Sequence, residues 1–197
     1  SLVVPYNTGT RIGETFAIDL SQDVDFEKHE LRIHGQMQKV EKTWYIKPPK
    51  YDSYRTIKMG ETLEKELKFA IQQRRINKLK YGGAYSKTYL LPDRSIAQIR
   101  ADIDVPYKEI LPLCVKENGA LLTPDSFKYC ARIIHYELNN PLFHAHCLRH
   151  THGTILAENG VNPKTVMERL GHRDIKTTLQ TYTFTTEVMQ TTAVDIF

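Results

Sequence analysis

Three stretches of the chain hold residue types that could act on a phosphate. His146 and Arg149 stand three apart, a spacing that puts both on one face of a helix. Leu170-Gly171-His172 follows, and a glycine there reads as the end of a helix, so His172 sits where the chain turns back. Tyr182 comes ten positions later. Far upstream, Thr8-Gly9-Thr10-Arg11-Ile12-Gly13-Glu14 carries a second arginine, with Glu14 one helical turn away and able to pair with it. Arginine stays protonated and makes two parallel hydrogen bonds to a phosphate. A phenol is an oxygen nucleophile once its proton (reference pKa ~10) is taken by a base or its surroundings are cationic. The chemistry these types suit is displacement at phosphorus, in which fixed cationic donors meet the charge that develops on the non-bridging oxygens. Arg11 and Arg149 are the candidate clamp and Tyr182 the nucleophile. His146 could take the phenol's proton, and His172 could donate a hydrogen bond to the phosphate.

Each of these residues alone has a plainer reading. A single arginine is most often a surface ion pair, a tyrosine on a short helix a packing residue, and a lone histidine structural. His144, His146, His150 and His152 also raise the question of zinc, since His146 and His150 have the i, i+4 spacing of helical metal pairs. Position 147 is Cys, where such a helical pair would carry a glutamate, and no third ligand is evident. No metal site is expected.

The elements that must position these residues can be read from capping signals and periodicity. Residues 1–8 read as the end of a helix stopped by Gly9, and Arg11 to Phe16 as a second short helix capped by Thr10. Glu30–His34, Lys42–Lys47 and Tyr54–Met59 read as strands of one small three-stranded antiparallel sheet. Pro48, Pro49, Asp52 and Ser53 form its last hairpin loop, which carries Lys50. Gly60-Glu61-Thr62 opens a long amphipathic helix closed by Gly82-Gly83, with a Lys- and Arg-rich solvated face. Residues 84–122 read as loop, a short helix and one extended piece, Leu111–Val115. Thr123-Pro124-Asp125 caps a helix ending at Asn139-Asn140-Pro141. Asn159-Gly160 is a stop, Asn162-Pro163 a cap with Pro at the first helical position, and Asp174 opens the short helix that presents Tyr182. Val166, Met167 and Leu170 form the buried side of the helix before His172.

A chain of 197 residues with 41% hydrophobic and 25% charged residues fits one globular domain. Its net charge of +4 permits a polyanionic partner without demanding one. Three cysteines, Cys114, Cys130 and Cys147, are odd in number and lack C-x-x-C spacing, which argues against a disulfide framework and for a reducing cytoplasm. No apolar run approaches 18 residues, so no membrane span is expected.

Taken together, the H-x-L-R-H of residues 146–150, the Leu-Gly-His turn, Tyr182 and the upstream T-G-x-R-x-G-E box resemble the tyrosine recombinase (phage integrase) family, in the style of mobile-element integrases. The resemblance covers almost the whole chain. It implies an α+β, mainly α-helical catalytic domain over residues 1–197, with a small three-stranded antiparallel sheet at its edge and residues 183–197 as a C-terminal tail that packs against a neighbouring protomer. It also implies a fragment of a longer polypeptide whose N-terminal core-binding domain is absent, and hence weak, salt-sensitive DNA binding by this piece. The implied catalytic set is Arg11, Lys50, His146, Arg149, His172 and Tyr182, supported by Glu14 and His150. Lys50 would protonate the departing 5′ oxygen. The loop here is one residue shorter between Lys and Ser than the common pattern and has Tyr51 where Thr is usual, so Lys47 stands as the other candidate. The implied activity is site-specific cleavage and rejoining of double-stranded DNA at attachment or recombination sites, through a 3′-phosphotyrosyl intermediate. It would run in a homo-tetramer, with no metal or other cofactor. Two alternatives are a type IB topoisomerase-like relaxing enzyme and a catalytically silent DNA-binding regulator.

Overall fold

The computed structural model describes residues 2–182; the expected tail, 183–197, lies outside the described residues. The chain opens with α1 (Val3–Thr8), which ends on Gly9 in the left-handed region at φ 66°, its N–H donating to the Pro5 carbonyl. α2 (Ile12–Ala17) follows at once. Its cap is Arg11 rather than the expected Thr10, because the Glu14 carboxylate accepts the Arg11 backbone N–H at 2.8 Å. The Thr10 hydroxyl is instead the middle of a buried chain, 2.8 Å from Thr8 Oγ1 on one side and 2.8 Å from Thr15 Oγ1 on the other.

The first sheet is antiparallel and three-stranded, in the order β1 (Val24–Asp25), β2 (Glu30–Ile33), β5 (Arg55–Lys58). Period-two alternation sends Leu31, Ile33 and Ile57 to one face. There they join Val4, Ile18, Leu63 and Leu67 in the largest core cluster. Leu63 and Leu67 come from α3 (Glu61–Tyr81), the long helix expected from the sequence, with Gly60 at its start and Gly82 at its end. Burying each of these leucines stabilises the fold by about 2–3 kcal/mol.

Strand membership differs from the sequence expectation. The Thr43–Lys47 strand, β4, does not pair with Glu30–Ile33. It forms a separate hairpin with β3 (Gln36–Val40). β3 escaped notice because only Met37 of its five residues is buried, so its pattern is mostly polar. Pro48-Pro49 and a 3-10 turn, Lys50–Asp52, then carry the chain from this hairpin to β5, so the loop joins two sheets. Within residues 84–122 the expected short helix is absent. A second three-stranded antiparallel sheet lies there instead, in the order β7 (Ile96–Arg100), β6 (Ser86–Leu90), β8 (Lys108–Ile110). Its strands are three to five residues long and punctuated by Pro92 and Pro106, too short for periodicity to declare them. The expected extended piece after it is tied to the end of α2 by Leu20 N–H to Leu111 O and Leu113 N–H to Ile18 O.

The C-terminal part is helical: α4 (Phe127–Glu137), α5 (Ala145–Glu158), α6 (Pro163–Leu170) and α7 (Ile175–Tyr182). The local signals act as read. Asn162 caps α6 by accepting the Lys164 N–H, Gly171 ends it at φ 67°, and Asp174 accepts the Lys176 N–H at the start of α7. Val166 and Leu170 form the small core between α5 and α6. α1 packs on α5, so the opening segment meets the C-terminal helices. Among the described residues no helix is long and apolar enough to cross a membrane.

Candidate active site

Arg11 begins as a capping residue and ends as a fixed cation. Its Nη1 donates to Glu14 Oε1 at 2.9 Å while its backbone N–H donates to Oε2 at 2.8 Å. Its Nη2 lies 3.4 Å from the Gly171 carbonyl, joining α2 to the turn after α6. Glu14 is buried, and burial alone would push its carboxyl up. The hydrogen bond and charge of Arg55, with those of Arg11, outweigh this and hold it below its ordinary value. Arg55 is a partner the sequence did not announce. Its Nη2 donates to Glu14 Oε2 at 2.8 Å, its Nε to the Arg169 carbonyl at 2.8 Å and its Nη1 to the Ser53 carbonyl at 3.1 Å.

Arg149 enters from the other end of the chain. It is 2% exposed, and its Nη1 donates to the Gly9 carbonyl at 2.7 Å, two residues before Arg11. Backbone from the upstream box therefore anchors the downstream arginine. One turn along α5, His152 donates from Nδ1 to the Tyr6 carbonyl at 2.8 Å and accepts the Arg169 Nε–H at Nε2, 3.0 Å. A carbonyl only accepts and a guanidinium only donates, so this ring is the neutral Nδ1–H tautomer. Burial, and then the charges of Arg169 and Arg149, lower its pKa to about 4. Arg169 completes the brace with Nη1 on Lys58 O and Nη2 on Asn7 O, both at 3.1 Å.

His172 sits after the left-handed Gly171 with its Nδ1 2.7 Å from Thr178 Oγ1 on α7. Its pKa is lowered to about 4, first by burial and then by Arg149, Arg11, Arg55 and His146. The Gly171 carbonyl, one residue before His172, lies 3.4 Å from Arg11 Nη2, and Arg11 and His172 line one cleft. His146 is held low by loss of solvent on part of its ring and by Arg149, His150 and Arg11. It meets His150 edge-to-face, ring centroids 5.1 Å apart. The structure thus brings Arg11, Glu14, His146, Arg149 and His172 together. A cleft of ≈ 320 Å³ opens beside them, lined by Arg11, Tyr51, His172, Arg173, Asp174 and Thr177. Tyr182 is the last residue of α7, one helical turn after Thr178.

The two lysines differ. Lys47 is half-buried on β4, with its ammonium 5.9 Å from the Tyr45 ring centroid. Lys50 is exposed on the 3-10 turn, with its ammonium 4.9 Å from the centroid of Tyr51, a cleft residue.

The family model of the phage integrase family matches residues 2–187. The chain belongs to that family. A tyrosine recombinase XerC-like protein of Caldanaerobacter subterraneus subsp. tengcongensis is 29% identical over 98% of this chain and 47% of its own length. The transposase from transposon Tn916 of Enterococcus faecalis is 27% identical over 94% of this chain and 42% of its own length. The chain thus spans less than half the length of these curated relatives. A solved structure of the Tn1549 transposon integrase in complex with a circular intermediate DNA superposes with TM-score 0.73 at 23% identity, covering 100% of this chain and 57% of that one. The fold is therefore the expected α+β one, mainly helical with a small three-stranded antiparallel sheet, to which a two-stranded hairpin and a second three-stranded sheet are added.

Proposed function

We propose that this chain is the catalytic domain of a site-specific DNA recombinase or integrase that cleaves and rejoins strands through a 3′-phosphotyrosyl bond. The observation that carries the proposal is that Arg149 is anchored on the Gly9 carbonyl, two residues before Arg11, while Arg11 reaches the Gly171 carbonyl beside His172 and lines one cleft with it. Two guanidiniums with fixed backbone and carboxylate partners are pre-aimed donors, and such donors stabilise a pentavalent phosphorus without reorganising. Tyr182 is the nucleophile in this reading. It ends α7, one turn after Thr178, whose hydroxyl lies 2.7 Å from His172 Nδ1. His146, kept neutral by its surroundings, accepts the phenolic proton. In this reading the Thr178 hydroxyl donates to His172 Nδ1, and the Nε2–H tautomer so selected donates to a phosphate oxygen. Lys50 protonates the departing 5′ oxygen. Its exposed turn and long stem suit a group that swings in, whereas Lys47 is held in a strand. The P–O bond to the 5′ oxygen breaks as the P–O bond to tyrosine forms, so the phosphodiester energy is kept. A 5′-hydroxyl from a partner duplex then reseals it.

The partner of this reading is double-stranded DNA, the Tn1549 integrase being known in a DNA complex. A homo-tetramer on two duplexes is the assembly that exchanges strands. The test is a nicked suicide duplex carrying the element's own site. The native chain is expected to form a covalent adduct, and Tyr182→Phe to bind the duplex without forming one. An adduct that survives in Tyr182→Phe, or none with the native chain, overturns the proposal. Relaxation of supercoils without strand exchange between two cognate duplexes by the full-length protein would assign it to the topoisomerase class instead.

A further inference from the structure

One guanidinium touches three of the elements that carry the proposed chemistry. Arg55 Nη2 and Nη1 hold Glu14 at 2.8 and 3.3 Å, the same carboxylate that fixes Arg11. Arg55 Nε holds the Arg169 carbonyl, at the last turn of the helix before His172. Arg55 Nη1 also holds the Ser53 carbonyl, and the Ser53 hydroxyl donates to the Lys50 carbonyl at 2.9 Å. The side chain is 7% exposed and Glu14 is fully buried, so the pair is shielded from water and geometrically fixed. Gly171 records how tightly this guanidinium fills its place: a Cβ there would lie 2.8 Å from Arg55 Nη1 and 3.1 Å from Ser53 Cβ.

We propose that Arg55 is a positioning residue that sets the Lys50 turn in register with Arg11 and the His172 turn; the inference rests on the recombinase reading above. Lys50 lies on a turn with two left-handed residues, Tyr51 at φ 62° and Asp52 at φ 52°. The link that joins this turn to the guanidinium floor runs from Lys50 through Ser53 to Arg55. A lysine at position 55 keeps the charge but lacks the planar fork that reaches a carboxylate and two carbonyls at once. Displacing a proton donor by an ångström costs on the order of 100-fold in rate.

The test compares two leaving groups in single-turnover cleavage of the suicide duplex by the full chain. One substrate has the native 5′ oxygen at the scissile phosphate, the other a 5′-bridging sulfur, which departs as a thiolate and needs no proton. Arg55→Lys is expected to cleave the oxygen substrate about 100-fold more slowly than the native chain. Its loss on the sulfur substrate is expected to be about 10-fold smaller than that. Ser53→Ala, which removes only the hydroxyl on Lys50 O, is expected to show the same selectivity with a smaller loss and an unchanged melting temperature. It keeps the test open should Arg55→Lys fail to fold. Equal losses on both substrates, or no loss, in the folded variants overturn the proposal. Failure of the native chain to form any adduct sinks the recombinase reading itself, an outcome separate from these.

Discussion

The floor of the site and the turn above it are built on opposite principles. On the floor, Arg149 is 2% exposed and Glu14 1% exposed, and the guanidiniums of Arg11, Arg55, Arg149 and Arg169 are held by carbonyls, a carboxylate or a histidine. At the turn, Lys50 is exposed and rests its ammonium over Tyr51, itself 59% exposed. Charge stabilisation works only if the donors do not reorganise during reaction, which demands the first arrangement. In the proposed reaction Lys50 delivers a proton to the leaving group, a task that tolerates a donor that moves and so allows the second.

The largest break in this comparison is expected at Arg149. Arg149→Lys should lower adduct formation about 1000-fold, since one ammonium cannot hold Gly9 O and also present a fork to phosphate. It should lower the melting temperature as well. Single-turnover cleavage and calorimetry on one preparation check both. Next comes acid. The folded pKa of His152, about 4, lies below its ordinary 6.5, so between these values the unfolded chain binds more protons. Its stabilising contribution is full above pH ~6.5 and is lost as pH falls through 4, by about 3 kcal/mol. Urea unfolding across pH 4 to 8 should show this slope in the native chain and a flatter one in His152→Gln. Lys50→Ala should cost about 100-fold in cleavage of the native oxygen substrate. Unlike Arg149→Lys, it should leave urea stability within about 0.5 kcal/mol. The smallest effect is expected for Tyr51→Ala. Losing an exposed cation–π contact is worth about 0.5–1 kcal/mol, so adduct formation should change by less than about 5-fold.

What the sequence revealed and what it hid divide along the same line of local against distant. Arg11 with Glu14, the Asn162 cap, the Gly171 stop and the Asp174 opening are interactions within four residues, and each could be read directly. Arg55, His152 and Arg169 could not, because His152 and Arg169 meet across 17 residues and the other decisive partners of these three lie 41 to 162 residues away. Nothing in the residues around Arg55 distinguishes it from a surface arginine on an alternating strand. The second sheet was hidden for a different reason. Its short strands pair through backbone, and their side-chain pattern is too brief to show a period.

Gly9 joins the two halves of the chain at a single residue. Its carbonyl holds Arg149, and a methyl group added to its Cα would strike Leu170 Cδ2 at 2.4 Å and His152 Cδ2 at 2.8 Å. A hybrid that couples the opening segment of one family member to the closing helices of another must therefore match in shape at this spot, whatever the agreement elsewhere.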